Sequence, residues 1–170
     1  MRTLLLCALI PVVFPVAANE PAQLANPAID SAQYVRMVNQ AVAHRESRRV
    51  SEDEFIRLAR LPGTVVLDGR NRGKYQALHV RGAVNLSYPD FTVESLARLV
   101  PDPQTLILIY CNNNFRNAEE PFPSKLPAAS LNLSTYIALY TYGYRNIYEL
   151  GPRLDPKQSK LPFVSTVAKR

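Results

Sequence analysis

Residues 105–111 read TLILIYC: four aliphatic side chains and a tyrosine running into a cysteine. A run this short, apolar at every position, is the pattern of a strand buried on both faces, as in a parallel sheet. Working outward, TVVLD (64–68), GAVNLS (82–87) and NIYEL (146–150) are shorter runs of the same kind. Helical patterns lie between and before them. Ser51 followed by Glu54 is a capping box opening a helix to about Arg60, where Pro62-Gly63 stops it. VESLARLV (93–100) and AASLNLSTYIALYTYGY (128–144) are two more, the second with Gly143 near its end. Tyr34, Met37, Val38, Ala41 and Val42 recur at helical spacing, which predicts an amphipathic helix over 31–46. Strands alternating with helices predict an α/β fold, a central mostly parallel sheet flanked by helices. Ligand sites in such sheets lie beyond the carboxyl ends of the strands. Cys111 stands at such an end.

The chain has 170 residues, 47% hydrophobic and 20% charged, with a formal net charge of +6, which fits one globular domain. Its first 18 residues read as a cleaved secretory signal: Arg2, an apolar run broken by Pro11 and Pro15, then Val16-Ala17-Ala18. The run is too short for a spanning helix, so no stable membrane anchor is expected and the mature protein is expected to be periplasmic or secreted. Leu6, before Cys7, argues against a lipoprotein. Cleavage after Ala18 leaves Cys111 as the single cysteine and so precludes an internal disulfide, although an oxidising compartment favours them. A lone exported thiol is either buried and inert or reactive. Two histidines and one mature cysteine make no metal-ligand cluster, and no cofactor is expected. The basic residues are scattered from Arg45 to Arg81 with no interleaved aromatic stripe, so nucleic acid is not an expected partner.

The cysteine is followed by NNNFR (112–116). Thiol chemistry runs through the thiolate, which inward-turned backbone N–H groups and a nearby arginine stabilise. A concave ring of amides needs residues that accept left-handed backbone, and asparagine is the best non-glycine choice. Asn112, Asn113 and Asn114 are therefore expected to curl around the Cys111 sulfur, with Arg116 near it.

Two stretches resemble the rhodanese-like sulfurtransferases. LDGRNRGKYQALHVRGAVNL (67–86) is similar to that family's Leu-Asp-x-Arg, Tyr, His-Ile-x-Gly-Ala-x-Asn pattern at Leu67, Asp68, Arg70, Tyr75, His79, Val80, Gly82, Ala83 and Asn85. YCNNNFR and YGYRNIYELG carry the rest, and the likeness spans roughly residues 48–151. The resemblance implies a three-layer rhodanese-like fold with Cys111 as nucleophile, taking a sulfane sulfur as a persulfide and passing it to a thiol acceptor. It implies that Arg116 helps hold a small anionic or persulfide donor, with Asn112, Asn113, Asn114 and Phe115 as the remaining donor-binding positions. Asp68 and Arg70 would support the site as a strand-end ion pair. The six-residue loop has the sulfur-type length; related phosphatases have one residue more. Asn112 stands where the family often has arginine, Asn114 where it has glycine, and Leu78 where glycine precedes the histidine. A Pro-rich insertion, NAEEPFPSKLP (117–127), separates the loop from its helix and is a candidate lid or protein-partner surface.

The domain plan is thus a signal (1–18), a linker and N-terminal helix (19–47), a rhodanese-like domain (48–151) and a C-terminal tail (152–170). Blander roles stand beside the sharp ones: Cys111 as an inert core thiol, Arg116 as a solvated charge, His79 as structural and His44 as a surface residue. Tyr136 and Tyr140 read as packing, and the NLS triplets at Asn85 and Asn132 as strand and helix rather than glycosylation sites. Two functions follow, a sulfurtransferase using Cys111 or a non-catalytic module recognising a protein partner.

Overall fold

The computed structural model describes residues 26–167, so the expected signal and most of the expected linker lie outside the described residues. Residues 26–30 belong to a separate N-terminal unit, where Ile29 N–H donates to Asn26 O (3.0 Å) in a turn. The body begins at Ser31. In it, β1 (Arg49–Val50), β2 (Val65–Asp68), β4 (Val84–Asn85), β5 (Ile107–Tyr110) and β6 (Ile147–Leu150) form a five-stranded sheet in the order β1-β6-β5-β2-β4. Every pairing in it is parallel. The expected α/β architecture is the observed one.

Alternation along β5 builds two cores. Ile107 and Ile109 face α1 (Ser31–Arg45), α4 (Val93–Leu99) and α5 (Leu131–Thr141), meeting Ala41, Leu96, Tyr136 and Leu139. Leu108 and Tyr110 face α2 (Glu52–Ala59), meeting Phe55 and Leu58. Each fully buried aliphatic side chain contributes roughly 1.5–3 kcal/mol, so β5, fully buried at all four positions, anchors the fold. α2 opens at the expected Ser51 cap, whose Oγ accepts from Glu54 N–H (3.2 Å), but the Glu54 carboxylate pairs with Arg57 Nε (2.7 Å) instead of closing the box.

Several elements differ from the expected ones. The strand expected over 82–87 is ordered as a ladder only at Val84–Asn85. The helix expected over 128–144 starts at Leu131, after a 3-10 turn at Pro127–Ala129, because Pro127 fixes a tight turn before the helix proper. It closes with Gly143 at φ 99 and Tyr144 N–H on Leu139 O (3.0 Å), a left-handed cap. Asn71 caps a helix not expected, α3 (Arg72–Ala77), by accepting from Lys74 N–H (2.9 Å). The 152–170 segment is more than a tail. Its β7 (Phe163–Val164) pairs antiparallel with β3 (His79–Val80), and Leu161 is buried.

The helix α1 is docked firmly. The Arg45 guanidinium forks onto the buried Glu149 carboxylate of β6 (Nε–Oε2 2.6 Å). His44, expected on the surface, is half-buried instead, with Nδ1 2.8 Å from Tyr136 Oη. Burial, then the Arg48 and Arg145 charges, hold its pKa below the ordinary histidine value. Among the described residues no helix is long and apolar enough to cross a membrane.

Candidate functional site

The register of β2 on β5 sets Asp68 beside Tyr110, so the next residues, Gly69-Arg70 and Cys111-Asn112, leave the sheet side by side. Asp68 is fully buried and accepts from Tyr110 Oη (2.7 Å) and from Arg70 Nη2 (2.6 Å). Burial, then the Asp68 charge and hydrogen bond, push the Tyr110 phenol pKa well up, so it stays a donor. The Arg70 guanidinium also donates to Leu78 O (2.7 Å) and Pro121 O (2.8 Å). Asp68 and Arg70 are thus the expected ion pair, and one further donor of Arg70, on Pro121 O, grips the insertion. His79 is structural, its Nδ1 2.7 Å from Tyr75 O and its ring stacked on Tyr75. Gly69 passes so close to α5 that a Cβ there would lie 2.9 Å from Thr135 Oγ1.

Cys111 directly follows β5 at 1% exposure and turns to the α5 side, with Sγ 3.5 Å from Ser130 Oγ at the cap of that helix. The insertion therefore does not carry the helix start away from the thiol. It loops out and returns.

The three asparagines curl back beside Cys111, but not through the expected left-handed backbone. They form a right-handed 3-10 turn, with Asn114 N–H on Cys111 O (3.2 Å) and Phe115 N–H on Asn112 O (3.1 Å). Among the described residues the left-handed non-glycine is Asn117 (φ 58), which turns the chain into the insertion. What asparagine supplies at 114 is its carboxamide. Its Oδ1 accepts from Cys111 N–H (2.8 Å) and Asn132 Nδ2 (3.0 Å), and its Nδ2 donates to Leu150 O (2.6 Å). Asn113 pairs reciprocally with the Lys125 backbone (2.9 and 3.0 Å). Asn112 makes no side-chain hydrogen bond, and its Oδ1 is buried.

Phe115 is a core residue, edge-on to Phe163 and tilted on Phe122 at 4.3 Å. Arg116 is exposed; its N–H donates to Leu154 O (2.9 Å), and its charge acts on Asp155. The Asp155 carboxyl is held below the usual range first by its hydrogen bond from Asn117 and by the Lys157 N–H, and less by Arg116. The insertion is strapped down by Phe122, fully buried under the Arg70 guanidinium (4.2 Å), and by Lys74 Nζ on Glu120 O.

A cleft of about 270 Å³ opens where β2 and β4 end, walled by Asn112 and Leu131, the residues that follow Cys111 and Ser130. Among the described residues no group of three or more His, Cys, Asp or Glu could hold a metal ion.

The family model of the rhodanese-like domain matches residues 51–150. The chain belongs to the rhodanese-like domain family. Solved structures similar to it include a rhodanese with anions from E. coli, 24% identical, with 60% of this chain and 98% of that one covered at a TM-score of 0.41. A Helicobacter pylori 26695 protein is 20% identical, with 74% and 98% covered and a TM-score of 0.48. The rhodanese-like domain of an Anabaena protein is 19% identical, with 69% and 79% covered and a TM-score of 0.46. No curated protein matches. α1, β1 and β7 lie outside the matched residues 51–150.

Sequence reasoning missed Tyr110, Ser130, Phe122 and Asn132. Two had a signal: strict alternation puts Tyr110 opposite Cys111, and a serine before LNLSTYIAL is a helix cap.

Proposed function

We propose that this rhodanese-like domain is a sulfurtransferase acting through Cys111. The supporting observation is the Cys111 thiol at the carboxyl end of the central strand, 3.5 Å from Ser130 Oγ at the start of α5. In the loading step the Cys111 thiolate attacks the outer sulfur of a donor R–S–SH. A Cys111–S–SH bond forms, the donor S–S bond breaks, and the donor departs as RS⁻. An acceptor thiolate then attacks the outer sulfur of Cys111–S–SH, taking it as R′–S–SH and restoring the Cys111 thiolate. Ser130 Oγ is placed to donate to the sulfur anion present before loading and after transfer. With Arg116 exposed and asparagine at 112, a persulfide suits the loop better than doubly charged thiosulfate. The signal-like sequence of residues 1–18 supports an exported enzyme, which N-terminal sequencing of secreted or periplasmic protein would check.

The burial of Cys111 at 1% favours a second reading, a binding module without turnover. Intact-mass measurement of the folded protein after exposure to a persulfide donor separates the two. Gain of one sulfur atom in the wild type, absent in Cys111→Ser and discharged by added thiol, supports the enzyme. A thiol that takes up sulfur only in denaturant refutes it and leaves the module.

A further inference from the structure

The cation facing the cleft does not come from the cysteine loop. Arg116 lines neither the cleft beside Asn112 nor a second one of about 270 Å³ formed by Asn113, Ser124, Lys125, Pro127 and Arg153. Lys125 lines both. Its backbone is pinned to Asn113 by two hydrogen bonds, which fixes the root of its side chain two residues from Cys111. The other cations of the first cleft are committed: Arg70 to Asp68, and Lys74 Nζ to Glu120 O. No acidic side chain lines either cleft among the described residues.

Beside that charge sits an unsatisfied amide. Asn112 is 5% exposed and its carboxamide has no hydrogen-bond partner, with Oδ1 wholly buried. A buried polar group left unpaired costs roughly 1–3 kcal/mol, and such groups are rare enough to need an explanation. A carboxamide with nothing to break can turn toward a ligand at little cost. The cleft, at about 270 Å³, falls just below the roughly 300–1,000 Å³ that holds drug-sized molecules, which is more room than an inorganic sulfur anion needs.

We infer that this cleft recognises a small thiol compound of amino-acid type, its carboxylate on Lys125 and its N–H on the Asn112 carboxamide. Lys125, carried by the insertion, is the specificity-determining residue. The inference rests on the sulfurtransferase reading for its biological use, since the ligand is then the carrier portion of the persulfide donor. The binding itself is tested apart from sulfur transfer.

The probes are S-methyl-N-acetylcysteine, which carries the carboxylate and N–H but cannot react, and its neutral methyl ester. Each is titrated into the full chain and followed by amide chemical shifts in NMR spectra. The acid is expected to shift the Asn112, Asn113 and Lys125 resonances and to bind at least about fivefold more tightly than the ester, the scale of a partly screened charge-assisted contact. Lys125→Ala should remove that difference and Lys125→Glu should reverse it. Lys160→Ala, which deletes an equal charge paired with Asp53 elsewhere, should leave it intact. Equal binding of acid and ester to the wild type overturns the inference, as does a preference that survives Lys125→Glu. Acid-selective binding in a protein that takes up no sulfur at Cys111 would sink the sulfurtransferase reading and leave the recognition cleft standing.

Discussion

Replacing Asn114 with alanine removes a side chain that ties three strand and helix ends together beside the thiol. Its carboxamide makes bonds of 2.8 Å to Cys111 N–H, 3.0 Å to Asn132 Nδ2 and 2.6 Å to Leu150 O, and a longer one to Pro152 O. A neutral hydrogen bond contributes about 0.5–1.5 kcal/mol net, and an orphaned buried partner costs about 1–3. The three short bonds therefore come to about 3 kcal/mol, a large part of the roughly 5–15 kcal/mol that holds a domain. Urea unfolding of Asn114→Ala should show that loss as a lower midpoint with an unchanged slope. Asn114→Asp sharpens the test. One carboxylate oxygen can still accept from Cys111 N–H, but the other faces the Leu150 carbonyl, and only the protonated acid can donate there. The fold therefore raises the introduced carboxyl's pKa. The restored bond is fully present below the ordinary aspartate pKa of about 3.9 and is lost as pH rises through the raised value. Relative to the wild type, Asn114→Asp should thus be least destabilised in acid and most destabilised at neutral pH. A loss under about 1 kcal/mol in Asn114→Ala, or a pH-independent deficit in Asn114→Asp, would refute a carboxamide tie at this position.

Asp68→Asn leaves the Arg70 guanidinium buried without its counter-charge; such breaks cost about 3–5 kcal/mol. The carbonyls that Arg70 retains put it near 3, seen as a drop in melting temperature of roughly 6–12 °C. Gly69→Ala should cost about 1–3 kcal/mol by overpacking against Thr135 Oγ1, and Gly69→Ala/Thr135→Ala should recover most of it, because the nearest remaining atom is Thr135 Cβ at 4.0 Å. His44 has a lowered pKa in the fold, so below about pH 6.5 the unfolded chain binds the extra proton. Stability should therefore fall as pH drops from 7 toward 5, and His44→Gln should flatten that slope in parallel pH-dependent melts.

The parts of the fold legible in the sequence are those whose signal is local and dense. Ile107–Tyr110 is apolar at every position, Ser51 and Glu54 mark a helix start by spacing alone, and Asp68 with Arg70 falls in a motif. α3 was illegible because RGKYQA buries no residue and presents no apolar stripe, its start resting on the Asn71 cap. β3 and β7 are two residues each, and their pairing joins segments some eighty residues apart, which no window on the chain detects. At the site, asparagine was read for its backbone tolerance when its side chain mattered. A right-handed turn satisfies the same three letters, and only the position of Leu150 and Asn132 in space shows why position 114 is an amide. Phe122 was hidden by its setting, a lone aromatic among prolines and charges that sits in the core.

The last described strand gives the chain a biosynthetic clock. Phe115, which ends the cysteine turn, rests edge-on against Phe163 of β7, and Pro162 O holds Arg81 N–H (2.6 Å). Phe115 is therefore made about fifty residues before the strand it packs on, a lag of roughly 3–10 s at the pace of translation. During that interval the Phe115 end of the cysteine turn belongs to an unfinished core, while Cys111 itself turns to the other side, toward α5. The cover of Phe115 arrives when β7 zips onto β3. A chain stopped short of residue 163 would carry every residue of the cysteine loop and still leave Phe115 without its edge-on partner.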